Sequence, residues 1–349
     1  AQAAAGGPAA CVLPCGESGS TLRFLLPLAG ALGIESDFEC KGKLPDRPMG
    51  PFLDCLAEHG CIVGGRNPKH LAGKLSGGVF CLPGNISSQY VTGLLMTLPL
   101  LDEDSVIRIE GRLESRPYVD LTRSVLKRAG VCTEEKENEF IIPGGQRYML
   151  PDIALDTIER DWSNAAFWIV MDAMYRLRGK TGCGAGAYIA CKGLDPGSAQ
   201  GDKKIVEIAE GIIRAEGQTI DIDAADVPDL VPALAALSCA RPQGSVTNIV
   251  NAGRLRFKES DRLHAVTAVL FGLGADIEEQ EASLRIRAAG KLKGGTADSF
   301  GDHRIAMMAA CAACISEAPV IITGADAVNK SYPAFFEEYQ KLGGKIQWL

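Results

Sequence analysis

The sequence lacks both a long hydrophobic run and an excess of positive charge. No apolar stretch reaches the roughly 18 residues that a membrane-spanning helix requires. No basic region precedes the uncharged residues 1–16, so no signal peptide is predicted. The formal net charge is −7, which argues against general affinity for nucleic acid. We therefore expect a cytoplasmic protein that binds neither nucleic acid nor membranes.

The 12 cysteines lack the pattern of a zinc site. Cys11/Cys15 and Cys311/Cys314 are close pairs, but neither is accompanied by a second pair at zinc-ligand spacing. The second pair lies in an alanine-rich helical stretch, which is typical of small buried residues. We therefore expect reduced thiols and no metal site.

The chain of 349 residues is long enough for two domains, and it repeats itself. Polar segments that open apolar helices recur about every 70 residues. Apolar helices are predicted at 22–32, 90–101, 165–175, 230–240 and 305–315. Amphipathic helices are predicted between them, at 47–60, 116–130, 203–215, 261–273 and 332–342. Five such segments at nearly constant spacing favour a true repeat over a chance recurrence of helix patterns.

Short alternating runs between the helices predict strands at 106–109, 140–142 and 284–287. One repeat then consists of a strand, an apolar helix, a strand, an amphipathic helix and further strands. We expect a mixed α/β (α+β) fold of two domains, residues 1–158 with two repeats and residues 159–349 with three. The apolar helices are hydrophobic almost all round, which predicts that they are buried. Bundled helices with their N-termini facing a gap between the domains would attract anions.

The strongest chemical signal is the segment 256–262 (RFKESDR), which stands where an apolar helix begins. A helix start offers free N–H groups and a partial positive charge. Lys258 and Arg262 add cations there, which predicts an anion site, and Glu259 between them is a candidate for proton transfer. The alternative is an ordinary helix cap with Ser260 as the N-cap residue.

Other polar residues also fall at helix starts. Ser87, Ser88 and Gln89 suit an uncharged cradle for a phosphate or for sugar-like oxygens, although simple N-capping would explain them equally well. Gly19 would let the backbone approach a ligand closely.

Cations from different repeats form a second group of candidates. Arg47, Arg262 and Arg304 could together bind a small, multiply charged ligand, because each guanidinium binds carboxylate or phosphate at two points. Lys330 again precedes a helix. Asp229 stands at a helix start, and we expect it to share the acid/base role with Glu259.

Four motifs together resemble the signatures of the 3-phosphoshikimate 1-carboxyvinyltransferase family, also called the EPSP synthase family. They are GNISSQ (84–89), SRPYVD (115–120), RFKESDRL (256–263) and GDHRIAM (301–307). The resemblance runs from about Cys15 to the C-terminus.

The resemblance implies a two-domain enolpyruvyl transferase fold of βαβαββ units, with buried parallel helices and the active site in the cleft between the domains. The implied reaction moves the enolpyruvyl group of phosphoenolpyruvate onto the 5-hydroxyl of shikimate 3-phosphate and releases phosphate. It implies no metal and no organic cofactor. We expect a monomer.

The resemblance also assigns roles to individual residues. It implies that shikimate 3-phosphate is held by Ser87, Ser88, Gln89, Ser115, Asp229 and Lys258. It implies that phosphoenolpyruvate is held by Gly19, Arg47, Gln89, Arg262, Arg304 and Lys330. Asp229 would take the proton of the attacking hydroxyl, and Glu259 would protonate the methylene carbon and later help to remove a proton.

The sequence departs from the family pattern at three places. Family members begin with a strand and a Gly-Ser-Lys-Ser-type segment that supplies a lysine to both substrates, and no such segment precedes Gly16. We expect most catalytic power to be lost without that lysine. Glu17 and Arg254 stand where the family often has asparagine, so Arg254 is left outside the predicted site. Gly19 is kept, which predicts that a complete version is sensitive to glyphosate.

Two alternatives remain at this point. The UDP-N-acetylglucosamine enolpyruvyl transferase shares the implied fold and uses a cysteine on a mobile loop. Cys40, Cys55 and Cys61 lie in the corresponding half, but none lies in a recognisable loop of that kind. The other alternative is a truncated homologue that only binds ligand.

Overall fold

Two copies of a βαβαββ pattern follow one another in the first half of the chain. The computed structural model describes residues 11–149, 158–179 and 189–349. The first copy comprises β1 (Cys11–Gly16), α1 (Gly19–Leu32), β2 (Ser36–Cys40), α2 (Gly50–Glu58), β3 (Cys61–Gly64) and β4 (Lys69–Gly73). The second comprises β5 (Gly78–Pro83), α3 (Ser88–Thr97), β6 (Ser105–Glu110), α4 (Arg116–Arg128), β7 (Glu134–Lys136) and β8 (Glu139–Ile142).

The second half contains the same pattern once in full among the described residues. It begins with α5 (Trp162–Gly179) and α6 (Ile205–Arg214). The full copy is β9 (Thr219–Asp223), α7 (Val231–Cys239), β10 (Val246–Val250), α8 (Arg262–Gly272), β11 (Asp276–Glu279) and β12 (Leu284–Arg287). It is followed by β13 (Gly295–Asp298), α9 (His303–Ala313), β14 (Val320–Thr323) and α10 (Phe335–Lys341).

The sheets confirm that the repeat is structural. Three four-stranded sheets have the same order, β1-β2-β4-β3, β5-β6-β8-β7 and β9-β10-β12-β11. In each of them the first two strands are parallel and the other neighbours are antiparallel. Strands β13 and β14 form a parallel pair. The predicted strands at 106–109, 140–142 and 284–287 lie in β6, β8 and β12.

The chain divides into two units, Ala1–Thr157 and Ile158–Leu349, each with its own hydrophobic core. The apolar helices form the centre of these cores, as their sequences predict. Every residue of α7 is buried, and so is α9 from His303 to Ala312.

Helices α1 and α3 pack closely in the first unit because Gly93 has no side chain. A Cβ atom at Gly93 would lie 2.3 Å from the carbonyl oxygen of Arg23. This approach brings the first turn of α1, which begins at Gly19, next to the first turn of α3, which carries Gln89.

The start of α8 differs from the capping alternative. The N-cap residue is Asp261, whose side chain accepts a hydrogen bond of 3.1 Å from the N–H of His264. Ser260 is not the cap, because its hydroxyl donates to Asp302 at 3.0 Å instead.

Three findings apply to the described residues only. Within 11–149, 158–179 and 189–349, no helix combines the length and apolar character needed to cross a membrane. The same ranges contain no cluster of three or more His, Cys, Asp or Glu side chains suited to a metal ion. Their cysteines are all free thiols.

Candidate active site

Arg262, the first residue of α8, is the centre of a buried charge cluster in the second unit. Its side chain is only 1% exposed and contacts three carboxylates. Nε donates to Asp302 at 2.9 Å, Nη1 donates to Asp229 at 2.9 Å, and Nη2 donates to Glu259. Burial alone would lower the pKa of this guanidinium, but the three carboxylates raise it above its ordinary value.

Asp229 lies in a 3-10 turn, Pro228–Leu230, directly before α7. Besides Arg262, its carboxylate contacts Nζ of Lys258 at 3.3 Å and Nη2 of Arg304 at 3.4 Å. Burial opposes the ionisation of Asp229, yet the charges of Arg304, Lys258 and Arg262 outweigh it and hold its pKa well below the ordinary value. The carboxylate is therefore ionised throughout the neutral range.

Asp302 links α8 to the start of α9. It is fully buried, caps α9 by accepting from the N–H of Arg304 at 2.9 Å, and also accepts from Ser260. Nζ of Lys330 donates at 2.8 Å to the carbonyl of Gly301, the residue before Asp302. The structure thus brings together all six site residues that the sequence predicted in this unit: Asp229, Lys258, Glu259, Arg262, Arg304 and Lys330.

The cluster has an excess of positive charge. Burial lowers the pKa of Lys258. The charges of Arg262 and Arg254 lower it further, whereas those of Asp229 and Glu259 raise it. Arg254, left outside the predicted site, therefore lies close enough to act on Lys258. Cations outnumber the three carboxylates in a chain whose net charge is −7. Such a local excess favours anion binding.

His303 gives the second unit a measurable pH dependence. Its Nδ1 is buried without a hydrogen-bond partner among the described residues, 3.8 Å from Asp302. Burial, reinforced by the charge of Arg304, lowers its pKa from 6.5 to about 4. The unfolded chain binds a proton at His303 more tightly than the folded chain does. The contribution of neutral His303 to stability is therefore fully present above pH 6.5 and is lost as the pH falls towards 4. The loss is on the order of 3 kcal/mol at most.

We predict that His303→Gln removes this decline between pH 6.5 and 5, measured by urea unfolding at several pH values. Exposed His264 provides the matched control, since its ring is 60% exposed. His264→Gln should leave the pH dependence unchanged. An unaltered slope in the His303 variant would contradict the assignment.

In the first unit, three side chains converge on Gly19. A Cβ atom there would lie 2.7 Å from Nη1 of Arg23, 3.1 Å from Nη1 of Arg47 and 3.1 Å from Oε1 of Gln89. Nη1 of Arg23 donates to that Gln89 oxygen at 2.6 Å, and its guanidinium lies 5.4 Å from the ring centre of Tyr90. We call Gly19, Arg23, Arg47 and Gln89 the Gly19 cluster.

The predicted serines of this unit lie at helix starts. Ser87 caps α3 by accepting from the N–H of Gln89, and Ser88 is buried beside it. Ser115 directly precedes α4, is 1% exposed and has a φ of 53°. A left-handed serine is uncommon and is found more often at functional sites.

Sequence reasoning missed Arg23 and Asp302 as site residues. Arg23 could have been noticed because it interrupts the apolar helix four residues after Gly19, on the same helical face. Asp302 lies within the GDHRIAM motif but was given no role, because its contact with Arg262 spans 40 residues of sequence.

Comparisons with known proteins point to one family. A profile of the EPSP synthase (3-phosphoshikimate 1-carboxyvinyltransferase) family matches residues 2–339. The 3-phosphoshikimate 1-carboxyvinyltransferase of Clostridium kluyveri is 43% identical over 96% of this chain and 79% of its own length. That of Clostridium novyi is 41% identical over 96% of this chain and 78% of its own.

A solved structure supports the same fold. EPSP synthase from Acinetobacter baumannii superposes with a TM-score of 0.67 at 23% identity, covering 98% of this chain and 80% of that one. With the family profile and the clostridial relatives, this places the chain in the EPSP synthase (3-phosphoshikimate 1-carboxyvinyltransferase) family.

Proposed function

We propose that this protein transfers the enolpyruvyl group of phosphoenolpyruvate to the 5-hydroxyl of shikimate 3-phosphate and releases phosphate. The observation that carries the proposal is the Arg262 cluster, where Asp229 is held ionised among Lys258, Arg262 and Arg304. Joining two phosphorylated molecules requires that their mutual repulsion be neutralised at fixed positions. An excess of cations around an ionised acceptor suits that task.

We assign the substrate contacts by unit. In the first unit, Ser87, Ser88, Gln89 and Ser115 are assigned to shikimate 3-phosphate, and Gly19, Arg47 and Gln89 to phosphoenolpyruvate. In the second unit, Asp229 and Lys258 are assigned to shikimate 3-phosphate, and Arg262, Arg304 and Lys330 to phosphoenolpyruvate. The support is chemical: hydroxyl and amide groups suit a polyhydroxylated ring, and guanidinium groups suit a small molecule with a carboxylate and a phosphate.

Two carboxylates are assigned to proton transfer. The 5-hydroxyl oxygen adds to C2 of phosphoenolpyruvate while Asp229 accepts its proton, and Glu259 donates a proton to C3. The tetrahedral adduct then loses phosphate as a proton leaves the new methyl group, which restores the double bond. We assign the C3 proton to Glu259, and the support is its position just before α8 in contact with Arg262.

The low pKa of Asp229 has a consequence for this step. An ionised carboxylate is always ready to accept a proton, but a strongly stabilised one is a weak base. Its stabilising partners, Lys258, Arg262 and Arg304, are cations that substrate anions would also bind. Substrate binding would draw these charges away from Asp229 and raise its basicity when the hydroxyl is in place.

The test is phosphate release with both substrates, with the product identified by mass. It is run on the 349-residue chain and on the same chain joined to the part of the Clostridium kluyveri relative that it does not cover, since this chain covers 79% of that relative. Turnover by either protein supports the proposal, and the one that turns over is called the active form below. Turnover with UDP-N-acetylglucosamine in place of shikimate 3-phosphate, or with neither acceptor, would contradict it.

Gly19→Ala is predicted to weaken phosphoenolpyruvate binding without harming the fold. The added methyl group would displace the ends of Arg23, Arg47 and Gln89, which are flexible side chains. In the active form we expect the KM for phosphoenolpyruvate to rise roughly tenfold, equivalent to about 1.4 kcal/mol. We also expect glyphosate to inhibit the active form, and its affinity to fall more than that of the substrate in Gly19→Ala.

Gly64→Ala is the matched control for this substitution. A Cβ atom at Gly64 would meet nothing within 4 Å. Its KM and glyphosate inhibition should match those of the unchanged protein. Equal inhibition of the Gly19→Ala variant and its parent would contradict the prediction.

A further inference from the structure

Arg47 ends the 41–47 loop, which is the first part of the connection from β2, ending at Cys40, to α2, beginning at Gly50. The loop contains a 3-10 turn, Leu44–Asp46, with Leu44 buried beneath it. The loop belongs to no strand, yet it holds Nη1 of Arg47 3.1 Å from the position that a Cβ atom on Gly19 would occupy. The position of the first loop residue therefore controls where this cation lies.

The register of the sheet explains how the start of the loop is held. Strands β2 and β4 pair as Ser36 with Leu71, Asp37 with His70 and Phe38 with Lys69. Continuing this register would bring residue 39 opposite Pro68 and Cys40 opposite Asn67. Proline has no N–H, so the ladder stops there.

Asn67 continues the ladder with its side chain. Its Oδ1 accepts from the N–H of Cys40 at 2.8 Å, and its Nδ2 donates to the carbonyl of Cys40 at 2.8 Å. One carboxamide thus satisfies both backbone groups of the last β2 residue. The 41–47 loop begins directly after this doubly bonded residue.

Three other contacts also hold the loop and its flanks. Arg66 bonds to Asp46, but these side chains are 75% and 57% exposed, and exposed ion pairs contribute little. The N–H of Lys41 donates to the carbonyl of Gly16, which ties the loop to the segment before Gly19. On the far side, the Tyr90 hydroxyl donates to the carbonyl of Pro48. Asn67 is the side chain that fixes the β2 end.

We propose that Asn67 is a positioning residue that acts through Arg47: its carboxamide fixes the end of β2 so that the Arg47 guanidinium reaches the phosphoenolpyruvate site at Gly19. The inference rests on the proposed function, because it takes phosphoenolpyruvate as the ligand of Arg47. Asn67 itself touches no substrate. It is an exposed residue outside the hydrophobic core, so its removal should loosen the loop and not the unit.

The experiment is a double-mutant cycle in the active form. Asn67→Ala is expected to raise the KM for phosphoenolpyruvate about tenfold and to leave the KM for shikimate 3-phosphate unchanged. Arg47→Ala should raise the same KM further. If Asn67 acts through Arg47, adding Asn67→Ala to Arg47→Ala should change the KM by less than about twofold. The reason is that Arg47→Ala has already removed the interaction that Asn67 supports, so the two effects are not additive. A purely structural role would give additive effects.

Two further variants complete the test. Asn138→Ala removes an exposed asparagine from the turn between β7 and β8 and should behave like the unchanged protein. Asn67→Asp keeps an acceptor for the Cys40 N–H but loses the donor to its carbonyl, so its KM should be intermediate. Unfolding of either Asn67 variant at the assay temperature would overturn the proposal, since the residue would then hold the fold. A KM equal to that of Asn138→Ala would also overturn it.

Failure of this inference can be told apart from failure of the proposed function. Absence of turnover in both the 349-residue chain and the extended chain would refute the function. In that case, calorimetry can still compare the affinity of Asn67→Ala for phosphoenolpyruvate with that of its parent. Turnover by the parent, with an unchanged KM in the Asn67 variants, would refute only the positioning role.

Discussion

Arg262→Ala is expected to lower the free energy of unfolding of the second unit by about 3–5 kcal/mol and to abolish activity. The guanidinium is 1% exposed and forms ion pairs with three carboxylates. Without it, Asp229, Glu259 and Asp302 would remain close together in a site with little water. Such a cluster must take up a proton, admit water or unfold.

The comparison with Arg262→Lys separates charge from geometry. Lysine retains the charge, but a single ammonium group cannot donate to three carboxylates in the directions that the guanidinium uses. We therefore expect a smaller loss of stability than with alanine, together with a large loss of activity. The measurement is urea unfolding of both variants beside steady-state phosphate release.

Arg287→Ala is the control in the same unit. Its ion pair with Asp276 has side chains that are 55% and 61% exposed. Exposed pairs of this kind contribute about 0–1 kcal/mol, so its unfolding curve should nearly match that of the parent. A loss of less than about 1 kcal/mol in Arg262→Ala would mean that the buried cluster does not stabilise the unit.

The features predicted from sequence are those that depend on local pattern. The apolar helices and the strands between them follow from periodicity, and the repeated sheets follow from their regular spacing. Arg262 was found because it stands in a run of charges at a helix start. Local pattern also suggested Ser260 as the cap, which was wrong because a distant carboxylate, Asp302, binds its hydroxyl.

The missed features depend on contacts between residues that are far apart in the sequence. Arg23 reaches Gln89 across 66 residues of sequence, and this pairing exists only because Gly93 lets α1 and α3 approach. Asn67 matters only because the register of β2 and β4 places it opposite Cys40. Local sequence propensities do not predict such a register, since it is set by the packing of whole strands.

Asp229→Asn is expected to lower kcat of the active form by about 10²- to 10⁴-fold, the usual contribution of a positioned proton acceptor. The amide keeps the shape of the carboxylate but cannot accept the proton of the attacking hydroxyl. The control is Asp221→Asn, an exposed carboxylate that accepts a hydrogen bond from Asn248. Phosphate release at saturating concentrations of both substrates measures the effect. A change in kcat of less than about threefold would remove Asp229 from its assigned role.

The same variant predicts a shift in the pH profile. Burial lowers the pKa of Lys258, and the carboxylate of Asp229 opposes this by raising it. Removing that charge should lower the pKa of Lys258 further, so the lysine loses its proton at a lower pH. Binding of shikimate 3-phosphate by Asp229→Asn should therefore weaken at a less alkaline pH than in the parent, and Asp221→Asn should show no shift. A shift in the opposite direction would mean that the charge of Lys258 is not set by Asp229, although their side chains lie 3.3 Å apart.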